Sequence, residues 1–562
     1  MPTIELIFED LQSLVGKNLP SDIMALNDIF SFIKGEVESL EDDKITLEIK
    51  DGNRLDLWSV EGIARALRGV LGLEEGLKDY CIEDASAFKV DVDPALDSLR
   101  PFIGCSIVKG VELDDNVIRG LIHLQDKLDQ TQGRRRRRTS IGLYNYDLIE
   151  PPLNYKAVKP DSEISFVPLE FIKEMTLPEI LKSHPKGLEY GHIVNGYNLF
   201  PILIDSKEKI LSFVPIINSN DLGKITNEVE NVMVEVTGTM HTTVLNTLMM
   251  VTLSLADRGG SIFSVKIDYP HRENLVITPT LSKSKITITD VSIKKLLGID
   301  LEIRDIIKYL EKARFDASER EDKQIEVTIP CYRTDVMHQV DIIEDIAIMY
   351  GFNNIGQRWP QHITLGKISS IESFSDIVRE IMIGLGFQEI LSFSMSNRYN
   401  LFNKMKIEPE SVIKVSNPKT LRYTCLRNWL IPNLMECLSR NTHVEYPQKI
   451  FEVGGCFAFD DNCETGVKES RKIACLITHS NANFSETKSI LDALTRHIGI
   501  KYTIIETKHP SFIEGRVGAL LMNKNESGII GEISPKVIEE WGLENPISGF
   551  ELDLEKTLEM KK

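Results

Sequence analysis

Four acidic side chains fall within a short stretch of this sequence: Asp335, Asp341, Glu344 and Asp345, in Tyr332-Arg-Thr-Asp-Val-Met-His-Gln-Val-Asp-Ile-Ile-Glu-Asp-Ile-Ala-Ile-Met-Tyr-Gly351. The pattern predicts a helix from Val340. On it Asp341, Glu344 and Asp345 stand at i, i+3 and i+4 and share a face, opposite Val340, Ile343, Ala347 and Tyr350. Asp335 lies one loop upstream and can swing onto the acidic side. Carboxylates so close repel, and either protonation or a cation relieves the repulsion. Oxygen ligands without His or Cys favour a hard ion, Mg2+ or Ca2+, over zinc. The competing reading is a solvated acidic face paired with nearby Arg or Lys. Ile342, Ile348 and Met349 make this helix apolar nearly all round, which suggests burial, with its acids turned toward another protein surface.

A second concentration of charge has the opposite sign: Gly133 is followed by Arg134, Arg135, Arg136, Arg137 and Arg138. The formal net charge of −19 argues against non-specific wrapping of nucleic acid. A local basic patch can still bind RNA, because counterion release depends on the phosphates contacted. A solvated loop and a nuclear-import signal are the alternatives. Nothing in the sequence resembles a Ser/His/Asp triad.

The elements that must position these groups need several cores. At 562 residues the chain predicts about three to five domains. With 42% apolar and 27% charged residues it reads as an ordinary soluble protein. No apolar run approaches the roughly 18 residues that cross a bilayer. The first residues lack a basic and apolar leader pattern, so secretion is not expected. Eight cysteines without a CxxC pair read as reduced thiols of a cytoplasmic protein. Ser59 is placed to cap a helix that buries Val60, Ile63, Ala64 and Leu67, with Arg54 and Asp56 in the loop before it. Residues 86 to about 280 mix short β-rich runs with a long apolar helix over Thr242–Ala256. Pro201–Ile204 and Ile210–Val214 form a hairpin about Asp205-Ser-Lys-Glu-Lys. Asp290 can cap a helix ending at Gly298, followed by a helix over Leu301–Arg314, a strand from Ile325 and the helix from Val340. Phe374, Ile377, Val378, Ile381 and Leu385 make an amphipathic stripe ended by Gly386, before a strand over Gln388–Ser394.

In the last 200 or so residues, Leu426-Arg-Asn-Trp-Leu-Ile-Pro-Asn-Leu-Met-Glu-Cys precedes Pro447-Gln-Lys-Ile-Phe-Glu-Val-Gly-Gly-Cys-Phe457. This order resembles class II aminoacyl-tRNA synthetases, in which a helix leads to a strand ending in a phenylalanine–arginine turn. There the arginine grips the ATP α-phosphate and neutralises charge in the transition state. Here Ala458, Phe459 and Asp460 follow Phe457, and Ser548-Gly-Phe-Glu-Leu-Asp-Leu lacks a glycine-rich turn and terminal arginine. The resemblance therefore implies a scaffold without adenylation chemistry.

Taken together, these segments resemble the β subunit of phenylalanine–tRNA ligase in its archaeal and eukaryotic cytosolic form, over essentially the whole chain. Arg54 to Arg65 is similar to the family's Asn-Arg-Pro-Asp-Leu-Leu-Ser-x-Glu-Gly-Ile-Ala-Arg pattern, with Leu55 in place of proline. The resemblance implies a multidomain α+β fold: an N-terminal α/β domain over 1–85, a B3/B4 editing-type α+β domain over 86–275, a small winged-helix-like B5 domain over 276–355, and a degenerate class II synthetase module with an antiparallel sheet over 356–562. It implies Mg2+ at Asp335, Asp341, Glu344 and Asp345, the last replacing a more usual glutamate. It implies an editing pocket at Leu203, Ser212, Glu235 and Thr237, where tyrosine is hydrolysed from mischarged tRNA. Glu235 replaces a commoner aspartate and Met240 another. The bland reading of Ser212 and Thr237 is two strand residues of a β core. The implied partners are an α subunit, in an α2β2 enzyme using ATP, and tRNA(Phe), with Arg134 to Arg138 as candidate phosphate contacts. The rivals are a free-standing trans-editing hydrolase and a structural subunit with a decayed pocket.

Overall fold

A computed structural model describes residues 3–84, 88–269, 275–360 and 364–560, and elements are counted among these. The chain forms two compact units, Met1–Trp359 and Pro360–Lys562.

The first unit opens with a three-stranded antiparallel sheet, Thr3–Ile7, Lys44–Ile49 and Gly35–Glu41 in that order. Ile45, Leu47 and Ile49 alternate with more exposed residues, the period-2 pattern of a strand with one face in the core. The Val60–Val70 helix starts as its sequence predicts, the Ser59 hydroxyl accepting from the Gly62 amide at 3.1 Å. The segment before it is not an open loop. Leu55–Trp58 makes a buried 3-10 turn that presses its backbone onto the helix, so a Cβ on Gly62 would stand 1.6 Å from the Asp56 carbonyl oxygen.

Two stacked sheets follow. One runs, edge to edge, Ile217–Asn218, Ile210–Phe213, Phe200–Ile204, Leu153–Val158, Lys89–Val92, Val265–Asp268 and Val276–Thr278. The other runs Ile82–Glu83, Ser261–Phe263, Phe102–Lys109, Asn231–Gly238 and Thr139–Asn145. In this second sheet Ile103, Cys105, Ile107, Met233 and Tyr144 pack toward the first, sharing a core with Leu203 and Leu211. Their neighbours Val108, Leu143, Val234 and Val236 pack instead against the helices Asp115–Gln130 and His241–Asp257. The result is a helix–sheet–sheet sandwich in which even and odd strand positions serve different layers.

Beyond it, Ser284–Thr289, Gln324–Ile329 and Asp316–Glu319 make an antiparallel sheet packed with the helices Asp290–Leu297, Ile303–Lys312 and Gln339–Tyr350. The sequence predicts only the central strand, because its partners are dominated by polar residues. The first helix is capped by Thr289 rather than Asp290, the Thr289 hydroxyl accepting from the Ser292 amide.

The second unit is built on a seven-stranded sheet in the order Gln388–Glu389, Gln448–Phe459, Val467–Thr478, Ile547–Asp553, Asn525–Ile533, Phe512–Met522, Thr503–Glu506. Only the first pairing is parallel. The expected strand over Gln388–Ser394 shrinks to two residues, and Leu391 and Phe393 beyond them are exposed. Phe451 and Val453 pack on the Ser370–Gly384 and Phe484–Ile498 helices, while Ile450 and Cys456 face the Ile431–Arg440 helix. All eight cysteines are free thiols, and among the described residues no helix is long and apolar enough to cross a membrane.

Candidate functional site

Strand alternation brings the four expected pocket residues to one place. Glu235 and Thr237 sit on the Asn231–Gly238 strand in phase with Met233, so they point between the two sheets. Leu203 and Ser212 are cross-strand partners in the facing sheet. All four are buried.

Glu235 is only 3% exposed. Its Oε2 accepts from the Tyr144 hydroxyl at 3.1 Å, while its Oε1 has no hydrogen-bond partner. Burial pushes the Glu235 carboxyl up to about 7, against the opposing pull of the Tyr144 hydrogen bond, the Arg100 charge and the Thr237 hydroxyl. Burial and the adjacent carboxylate hold the Tyr144 phenol well above its ordinary range, so it stays a neutral donor. Ser212 lies beside Tyr144, and its hydroxyl has no hydrogen-bond partner of ordinary geometry. A buried unsatisfied group costs about 1–3 kcal/mol. A ligand carrying a hydroxyl would satisfy both Glu235 Oε1 and the Ser212 hydroxyl.

Thr237 plays a different part. Its Oγ1 accepts from Arg100 Nε at 3.0 Å and lies 3.1 Å from the Ser140 hydroxyl. Arg100 is buried and also donates to the carbonyls of Thr237 at 2.8 Å and Arg136 at 3.0 Å and to Ser140 at 3.0 Å. This guanidinium ties the buried Thr237–Ser140 cluster to the arginine-rich turn. Within that turn, Arg136 folds inward: it pairs with buried Asp129 at 2.9 Å, donates to the Ile216 carbonyl at 2.9 Å, and stacks over Tyr190. Arg134, Arg135 and Arg137 are exposed and Arg138 half-buried. Among the described residues none of these four is ion-paired.

The acidic segment is arranged otherwise than its spacing predicts. The helix spans Gln339–Tyr350, but Asp345 is buried beside Ile342, Ile343, Ile346 and Ala347, whereas Val340 is exposed. Arg333 reaches between two of the acids, donating to Asp335 at 2.8 and 2.9 Å and to Asp345 at 2.7 Å. Burial alone would raise the Asp335 carboxyl, but Arg333 and Arg54 hold it below its usual range. Burial wins at Asp345, which is raised. Asp341 turns back to the helix start and accepts from the amides of Met337 and His338, both at 2.8 Å. Glu344 pairs with Lys34 at 2.8 Å. Among the described residues no three His, Cys, Asp or Glu side chains converge as ligands. The four acids therefore do not fit a shared ion cradle within this chain: a guanidinium already supplies the positive charge.

In the second unit, the sheet face under the Ile431–Arg440 helix is filled by internal charge. Arg427 pairs with Glu452 at 2.7 Å, both sealed from solvent, and Lys472 pairs with Glu551 at 3.0 Å. The other oxygen of Glu551 accepts from the amides of Leu430 and Ile431 at 2.8 and 3.2 Å, so a carboxylate of the protein occupies the start of that helix.

Comparison with known proteins shows what these units are similar to. Residues 286–352 match the model described as tRNA synthetase B5 domain, and residues 355–554 the phenylalanyl tRNA synthetase beta chain CLM domain. The phenylalanine–tRNA ligase beta subunit of Pyrococcus furiosus is 40% identical over 558 residues, covering 99% of both chains. The chain belongs to the phenylalanine–tRNA ligase beta-subunit family. The beta subunit of Methanocaldococcus jannaschii is likewise 40% identical over 559 residues, 99% of this chain and all of that one. Among solved structures, an N-terminal fragment of the Pyrococcus horikoshii phenylalanyl-tRNA synthetase beta subunit matches with a TM-score of 0.59 and 37% identity, over 62% of this chain and all of the fragment.

Within this beta-subunit chain, sequence reasoning misses the residues that hold the named ones. Tyr144, Gly142 and Arg100 carry no motif. Their roles come from cross-strand register, which sets Gly142 opposite Glu235 and Ser140 opposite Thr237. Arg333 offered a signal, since it stands two residues before Asp335, but its reach to Asp345 requires the folded loop.

Proposed function

We propose that this chain is the large, non-catalytic subunit of a phenylalanine–tRNA ligase, giving scaffold and a hydrolytic pocket for tyrosine mischarged on tRNA(Phe), while an α subunit carries the ATP-dependent ligation site in an α2β2 assembly. The observation that carries the pocket is the buried Glu235 carboxylate with Oε1 unpartnered, sharing Tyr144 as a neighbour with the Ser212 hydroxyl. An acceptor of this kind selects a phenol. Phenylalanine would leave it unsatisfied at a cost of about 1–3 kcal/mol, so correctly charged tRNA escapes hydrolysis. No nucleophile triad is needed, because a tRNA hydroxyl or a water can be the attacking group.

The remaining assignments follow the same reading. Residues 86–275 form the editing-type domain, 276–355 the winged-helix-like domain, and 356–562 a class II synthetase module without its chemistry, after an N-terminal domain over 1–85. Glu551 and the Arg427–Glu452 pair support the last, since they fill with protein charge a face that would otherwise receive a nucleotide. Arg134, Arg135, Arg137 and Arg138 are the candidate tRNA phosphate contacts, and Arg136 is internal. Magnesium at Asp335, Asp341, Glu344 and Asp345 would require Arg333 and Lys34 to give way when the α subunit docks, because those two side chains now pair with three of the four acids.

The test is to assemble the chain with a candidate α subunit and measure phenylalanine charging and Tyr-tRNA(Phe) deacylation. The complex should do both, and Glu235→Ala should slow deacylation alone. Aminoacyl-adenylate made by the isolated chain would refute the subunit assignment, and undiminished deacylation in the variant would refute the pocket.

A further inference from the structure

The pocket holds a phenol of its own. We infer that Tyr144 is a positioning residue: by donating to Oε2 of Glu235 it fixes the carboxylate so that Oε1 stays open to the hydroxyl of a bound ligand. This rests on reading the inter-sheet space as an aminoacyl-hydrolysis pocket, and it names the group that gives that pocket its geometry.

Three observations converge. First, a phenol has one proton, and the Tyr144 oxygen has two acceptors in reach, Glu235 Oε2 at 3.1 Å and Asn218 Oδ1 at 3.3 Å. The proton is shared, so Glu235 is restrained without being fully satisfied. Second, Gly142 stands directly opposite Glu235 in the neighbouring strand. A Cβ there would lie 2.4 Å from the Tyr144 oxygen and 2.6 Å from Glu235 Oε2, so the missing side chain is the space in which this hydrogen bond forms. Third, the other carboxylate oxygen and the Ser212 hydroxyl have no hydrogen-bond partner of ordinary geometry, although the Thr237 and Tyr144 hydroxyls stand beside them. A carboxylate anchored by one oxygen presents the second in a fixed direction, whereas an unanchored one rotates and loses selectivity.

The groups facing Glu235 come from every surrounding element. Arg100 precedes the Phe102–Lys109 strand and Cys105 lies on it, Asp129 closes the Asp115–Gln130 helix, Tyr144 is on the adjacent strand, and Tyr155 projects from the opposing sheet. Burial and Asp129 oppose the ionised carboxylate, while the Tyr144 hydrogen bond, Arg100 and the Thr237 hydroxyl favour it. Removing the Tyr144 hydroxyl takes away the first of three supports of the charged form, so the Glu235 midpoint must rise.

The experiment uses the α–β complex and Tyr-tRNA(Phe), with deacylation followed from about pH 6 to about pH 9, spanning the Glu235 midpoint. Tyr144→Phe should raise KM about tenfold, and move the acidic midpoint of kcat/KM upward by about half a pH unit or more. Asn218→Ala, which leaves the phenol only one acceptor, should move that midpoint downward. Co-elution with the α subunit reports that each variant is folded. A purely structural Tyr144 would lower stability without moving the midpoint. Wild-type KM and midpoint in Tyr144→Phe, while Glu235→Ala is impaired, overturn the inference alone. Should Tyr144→Phe not fold, an unmoved midpoint in Asn218→Ala overturns it instead. Undiminished deacylation in Glu235→Ala overturns the pocket reading and the inference with it.

Discussion

Arg333→Met tests the claim that a guanidinium, rather than an ion, neutralises the acidic segment. In the wild type, Arg333 makes its closest donations to Asp335 at 2.8 Å and to Asp345 at 2.7 Å, and all three side chains are nearly sealed from water. Removing one partner from a buried charge network strands the others, at a cost of about 3–5 kcal/mol. The Gln339–Tyr350 helix carries Asp345, so the loss should appear there as local opening. Divided by the 1.36 kcal/mol of one power of ten, this is a fall of about 10² to 10^3.7 in amide hydrogen-exchange protection near neutral pH. The pH dependence has a definite sign. Arg333 now holds Asp335 low, a contribution present above the usual carboxylate range and lost as pH falls through the depressed value. Without the guanidinium both buried carboxyls take up protons, so the variant's deficit should shrink as pH drops toward about 4. Added Mg2+ should leave wild-type protection unchanged, because the positive charge is already in place. A fall of less than about tenfold in the variant, or wild-type protection that rises with Mg2+, would refute the reasoning.

Three further outcomes are expected. Asp341→Ala removes the acceptor for two backbone amides and should destabilise the start of the Gln339–Tyr350 helix by about 1 kcal/mol, seen by hydrogen exchange, and should also weaken co-elution with the α subunit in Mg2+. Glu235 is held at about 7 against an ordinary 4.5, so its burial favours the protonated state. The wild type should therefore lose up to about 3 kcal/mol of local stability as pH rises from about 4.5 through about 7, and Glu235→Gln, flat across that window in denaturant unfolding, would confirm the source. Replacing Arg134, Arg135, Arg137 or Arg138 by Ala should each lower the salt slope of tRNA binding by about one contact, whereas Arg136→Ala should lower the melting temperature through the orphaned Asp129. Equal salt slopes for all five variants would remove the basic turn from the tRNA interface.

The sequence alone was enough for the local elements whose cause is local. Ser59 and the spacing of Val60, Ile63, Ala64 and Leu67 specify a capped helix because cap and stripe are read within one or two turns. The Ile325 strand, the long helix after Thr242 and the hairpin about Asp205 belong to the same class. Phase along a single strand was also legible, and it places Glu235 and Thr237 on the same face. Which layer that face meets was not, because it depends on the facing sheet, whose Ser212 lies 23 residues earlier in the chain, and on the neighbouring strand of its own sheet, whose Tyr144 lies 91 residues earlier. Charge was the hardest to foresee. Helical spacing puts Asp341, Glu344 and Asp345 side by side, yet the fold sends them to an amide pair, a lysine and a buried arginine. Five identical arginines likewise divide into three exposed, one half-buried and one folded inward onto Asp129. A carboxylate or guanidinium lowers its energy by finding any compensating partner in space, and sequence distance places no limit on that choice. Residue type and period thus fixed the elements and the family resemblance, while three-dimensional neutralisation of buried charge decided which residues remain free to meet a ligand.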